Sequence, residues 1–101
     1  MSDKLDSVHS LAVQVANIDQ AVAWYTSSFN CNVIQKEITR AELEFENTKL
    51  VLTLPSQEPR YVAFGKDNAE SYGTLKDRGD GHPSTYLSDP TGNIVKLIKT
   101  N

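Results

Sequence analysis

Ser88-Asp89-Pro90-Thr91-Gly92-Asn93-Ile94-Val95-Lys96-Leu97 is the stretch from which the fold is read. Asp89-Pro90-Thr91-Gly92 has type I turn chemistry, with Pro at the second position and Gly at the fourth. The apolar residues after it predict a strand over 93–99. Thr85 to Ser88, just before the turn, predicts a short partner strand. Further upstream, Asp80-Gly81-His82-Pro83 reads as loop. Residues 68–78 predict a helix: Asp67 is placed as N-cap with Glu70 in the capping-box position, and Ala69, Tyr72 and Leu75 form an apolar stripe. Lys76 and Arg78 suit its C-terminal end, and Gly79 suits the position beyond it. Gly73 inside it implies either a close backbone approach or a marginal helix. Tyr61-Val62-Ala63-Phe64 predicts the strand that opens this half.

The first half has the same order. Leu11, Val13 and Val15 alternate with Ser10, Ala12 and Gln14, which predicts a half-buried strand over 8–15. Asn17 and Gln20 then signal a capped helix start, and Ile18, Val22, Tyr25 and Phe29 recur at helical spacing up to residue 29. Strands follow over 32–38, 41–46 and 49–54. In the second of these, Ala41, Leu43 and Phe45 oppose Glu42, Glu44 and Glu46. The fold class expected is α+β, with paired strand–helix–three-strand modules at about 8–54 and 60–99 within one domain, the second shortened. Its missing strand is expected between Gly79 and Thr85, where no apolar alternation exists.

Three stretches resemble the vicinal oxygen chelate superfamily, the group of glyoxalases, bleomycin-resistance proteins and ring-cleaving dioxygenases. They are Val13 to Tyr25, Tyr61 to Phe64, and Ser88 to Leu97, and the resemblance spans about residues 8–99. It implies a curved, cup-like mixed sheet with helices outside. In the family's enzymes the cup holds a divalent metal, bound by His, Gln and Glu at four equivalent strand positions. Carried onto this chain, those positions fall on Ser10, Val51, Tyr61 and Lys96. None is a usual divalent-metal ligand, and a lysine ammonium repels a cation. The expectation is therefore no metal, no other cofactor and no assigned catalytic residue.

The candidate ligand-binding residues are Ser10, Gln14, Glu42, Glu44, Tyr61, Tyr86 and Lys96. The glutamate row points to a cationic ligand, or is simply a solvated sheet face. Lys96 points instead to a carboxylate or phosphate. Tyr61 and Lys96 could form a metal-free acid–base pair, or one hydrogen bond in place of a metal. His9 shares its face with Leu11 and Val13 and is read as packed or partly exposed, and His82 as a solvated loop residue. Trp24 is assigned to the helix core.

Composition bounds the partners. Ten basic and thirteen acidic residues give a net charge of −3 with no basic run, which argues against nucleic acid. Apolar runs are too short for a membrane span. The opening residues Met1 to Asp6 lack the apolar core of a secretory signal, and the single cysteine, Cys31, excludes an intrachain disulfide framework. A cytoplasmic setting is expected. The reading is a metal-free small-molecule-binding protein. A lyase, isomerase or dioxygenase-like enzyme and a homodimeric interaction module with a filled cup are the alternatives.

Overall fold

The computed structural model describes residues 5–77 and 82–100. Eight strands and one α-helix are found among them: β1 (Ser7–Gln14), α1 (Ile18–Ser28), β2 (Asn32–Lys36), β3 (Arg40–Glu44), β4 (Lys49–Thr53), β5 (Tyr61–Lys66), β6 (Lys76–Asp77), β7 (Pro83–Ser88) and β8 (Ile94–Lys99). The class is α+β, as expected from the sequence. The chain divides into two compact units, Ser10–Tyr61 and a unit joining Met1–His9 to Val62–Asn101.

In the first module the strands lie in the order β2-β3-β4-β1. β1 and β4 are parallel, and the other two pairings are antiparallel. The register sets Leu11 beside Leu50 and Leu43, and Val13 beside Leu52 and Ala41. This is the apolar face, and α1 packs on it. Asn17, in extended backbone, accepts the Gln20 N–H at 2.8 Å and so caps the helix start. Ile18 and Val22 are buried against Ala41, Leu43 and Leu52, with Val13, Tyr25 and Phe45 packed around them. Leu43 and Leu52 are fully buried, and each contributes roughly 1.5–3 kcal/mol by leaving water. The helix stops where Phe29 turns extended and its N–H bonds the Tyr25 carbonyl.

The second module repeats this strand order as β6-β7-β8-β5, again with its first and last strands parallel. Two expectations are corrected here. The helix expected over 68–78 is a single 3₁₀ turn, Ala69–Ser71. Of its apolar stripe only Ala69 is buried, while Tyr72 is exposed. Lys99 from β8 ion-pairs with Glu70 at 2.8 Å and donates to the Asp67 carbonyl, so both residues of the expected capping box bond outside a helix. Gly73 is the close approach: a Cβ there would lie 2.7 Å from Thr85 Oγ1. The expected Gly79 C-terminus lies outside the described residues.

The second correction concerns the strand expected to be missing. It is present as β6, two residues long, ahead of the gap rather than within it. It pairs Lys76 with Ser84 and Asp77 with Pro83. The Asp89–Gly92 turn forms as expected, with the Gly92 N–H on the Asp89 carbonyl at 2.9 Å and Gly92 at φ +100°. Trp24 is also corrected: it is 55% exposed and edges onto Tyr25 and Phe29 at the surface. Among the described residues no helix is long and apolar enough to cross a membrane.

Candidate functional site

The face of the first module's sheet opposite α1 is polar. In-register neighbours across β1, β4 and β3 build it as three rows: Ser10, Lys49 and Glu44; Ala12, Val51 and Glu42; Gln14, Thr53 and Arg40. Period-2 alternation puts these residues there once Leu11, Leu50 and Leu43 are committed to the helix side. Much of this face is dry. Ser10, Ala12, Val51 and Thr53 are buried, and so is Tyr61 at the start of β5.

Arg40 organises one end of this face. Its guanidinium meets Glu42 at 2.5 Å and Glu58 at 3.2 Å. Gln14 donates its amide to the Glu58 backbone carbonyl at 3.0 Å. Burial works against the charge on Arg40. The Glu42 hydrogen bond and the Glu42 and Glu58 carboxylates outweigh it, with a further contribution from Tyr61, and hold the guanidinium's pKa above its usual value. Three of the residues named from the sequence, Gln14, Glu42 and Tyr61, are thus gathered around a cation that sequence reasoning did not single out. The glutamate row is not uniformly acidic: Glu42 is neutralised by Arg40, and Glu44 is exposed and bonded by the Asn32 amide at 3.3 Å. The missed signal was local. Arg40 precedes Glu42 by two positions and so shares its strand face.

In the second module, Tyr86 and Lys96 are direct partners across β7 and β8, and Ser84 lies on the same face. Lys96 is 1% exposed and Ser84 fully buried. The Lys96 ammonium stands 5.8 Å from the centre of the Tyr86 ring, within cation–π range. No buried side-chain nitrogen or oxygen among the described residues lacks a hydrogen-bond partner.

His9 and His82, far apart in sequence, come together with ring centres 6.2 Å apart. A groove of about 560 Å³ lies at the N-terminal end of α1, lined among others by Asn17, Asp19, Lys36 and Ile38. It touches none of the seven candidate residues.

No family model and no curated protein matches the chain. Solved structures do. Streptomyces coelicolor methylmalonyl-CoA epimerase, a single-substitution variant in complex with 2-nitronate-propionyl-CoA, superposes with a TM-score of 0.76 at 15% identity, over 96% of this chain and 99% of that one. Methylmalonyl-CoA epimerase from Mycobacterium tuberculosis gives 0.74 at 14% identity, over 100% and 93% of the two chains. A hypothetical protein from Bacillus halodurans gives 0.74 at 13%, over 97% and 96%.

Proposed function

We propose that this chain, whose fold is that of the vicinal oxygen chelate superfamily, works without that family's metal as a cytoplasmic binding protein for a small organic anion. The observation that carries the reading is the burial of Lys96, 1% exposed beside Tyr86. Lys96 stands where the resemblance implies a metal-ligating carboxylate. A buried ammonium there is the wrong charge and the wrong donor for a divalent ion. The other implied positions agree, each in its own unit. Val51 has no donor atom, and Ser10 and Tyr61 offer only hydroxyls.

The sign of the ligand follows from the charges. The case for a cationic ligand rests on the glutamate row, but Arg40 neutralises the half-buried member of that row, Glu42. Lys96 is buried, and a cationic group acts on an anion more strongly there than at the surface. The aromatic ring of Tyr86 and the hydroxyl of Ser84 share its strand face and add apolar contact and a hydrogen-bonding group, the usual makeup of a small-molecule site.

Thermal-shift measurement in the presence of a chelator tests this, with a panel of small carboxylates, phosphates, amines and acyl-CoA thioesters. The thioesters enter because the epimerase neighbours are named for one. A ligand at a hundredfold excess over its Kd stabilises by about 2.7 kcal/mol. The expected outcome is a rise with an anionic compound that Lys96→Met removes while the variant stays folded. A response confined to amines, or an anion response that Lys96→Met leaves intact, overturns the reading.

A further inference from the structure

We propose that His9 and His82 form a two-imidazole site for a divalent transition ion, with Cu²⁺ bound most tightly and Ni²⁺ and Zn²⁺ more weakly. The site is separate from the ligand-binding reading above and does not depend on it. His9 is adjacent to Ser10 on β1, so its side chain leaves the strand on the opposite side.

The geometry carries the inference. Both residues belong to the unit joining Met1–His9 to Val62–Asn101. Their ring centres are 6.2 Å apart and their planes are inclined at 63°. A metal–nitrogen bond is about 2 Å, so two imidazoles on one ion hold their ring centres roughly 5–6.5 Å apart as the angle at the metal opens. The observed separation falls in that range. Rings inclined in this way, unlike a parallel stack, leave room for one nitrogen of each to turn toward a common ion. The backbone limits both partners. His9 is held in β1, and His82 precedes Pro83, which restricts it to extended conformations. His82 is exposed and gives an ion access, while His9 is half-buried.

Among the described residues no set of three His, Cys, Asp or Glu side chains is placed to share one ion. Water therefore completes the coordination, and the site discriminates by the intrinsic order of the metals, in which Cu²⁺ stands highest. Neutral imidazole is a good ligand for all three ions.

The test is titration of the chelator-stripped full chain with CuCl₂, followed by calorimetry and by electron paramagnetic resonance at one equivalent. The expected result is a single site with hyperfine coupling from two imidazole nitrogens. Binding is expected to weaken at least tenfold in both His82→Ala and His9→Asn. His82 lies in an exposed loop, so its variant folds whatever His9→Asn does. The proposal is overturned by the absence of a stoichiometric site. It is equally overturned by copper binding that His82→Ala leaves unchanged, or that folded His9→Asn leaves unchanged. The anion reading rests on Lys96 and not on either histidine, so the response to organic anions is expected to survive His82→Ala.

Discussion

Gly73→Ala distinguishes the observed second module from the one its sequence pattern suggests. In a helix over 68–78, replacing an interior glycine with alanine would stabilise by about 1 kcal/mol. In the structure, the new Cβ lies 2.7 Å from Thr85 Oγ1, with Thr85 Cβ at 3.6 Å and Cγ2 at 3.7 Å. Ordinary van der Waals contact begins near 3.4 Å, so the overlap is several tenths of an ångström. Thr85 cannot easily yield. It is β-branched, 7% exposed and paired with Leu97 across β7 and β8. Overpacking of this kind costs about 1–3 kcal/mol, against about 0.4–1 kcal/mol returned by the stiffer unfolded chain. The net expectation is a loss of about 1–2 kcal/mol, read as a lower urea midpoint with an unchanged m-value. Thr85→Ala removes the clashing oxygen, so in that background the alanine should cost about 1 kcal/mol less. A stabilising Gly73→Ala, or a loss that Thr85→Ala does not relieve, refutes the close approach.

Further outcomes follow from the same contacts. Arg40→Met leaves Glu42 and Glu58 facing each other with their side chains 17% and 19% exposed, and is expected to cost about 2 kcal/mol near neutral pH. Urea denaturation of parent and variant at neutral pH checks this, and an unchanged midpoint would contradict it. Asp89 is held below its usual carboxylate range by the Asn93 side-chain amide, then by the Asn93 and Thr91 backbone N–H groups. Its folded pKa is depressed, so its contribution is present above the ordinary aspartate value of about 3.9 and is lost as pH falls through the lower native value. A melting-temperature series in that acid window should therefore slope less steeply in Asp89→Asn than in the parent. Trp24 is the single tryptophan. At 55% exposure its fluorescence should be readily quenched by acrylamide in the folded protein; strong protection would put it back in the core.

The first module was legible because its two periodicities do not compete. Leu11, Val13, Leu50, Leu52 and Leu43 alternate with polar neighbours, and Ile18, Val22 and Tyr25 repeat at helical spacing. The core joins these two sets, except for Leu11, which stays exposed. Trp24 lies off that helical stripe, so the spacing already placed it outside, and assigning it to the core by residue type was the error. The second module misled because Ala69, Tyr72 and Leu75 match a helical stripe while only Ala69 finds a surface to pack on. Lys99, distant in sequence, draws Asp67 and Glu70 into its own contacts. β6 was illegible for a related reason. Lys76 and Asp77 carry no strand pattern, and it is the free side of β7 that recruits them. At the candidate site, the faces of Gln14, Glu42, Tyr86 and Lys96 could be read from alternation. So could the nearness of Arg40 to Glu42, two positions along the same strand, but not its pairing with Glu58, which lies in a connector without periodicity. The approach of His9 to His82 is likewise a product of tertiary structure alone.

The most direct test of the central claim is calorimetric titration of an anionic compound from the thermal-shift panel into the parent chain and into Lys96→Met, both with chelator present. The account predicts saturable one-site binding to the parent that needs no metal and is lost in the folded variant. Binding that appears only when a divalent ion is restored, or that Lys96→Met leaves unchanged, contradicts it.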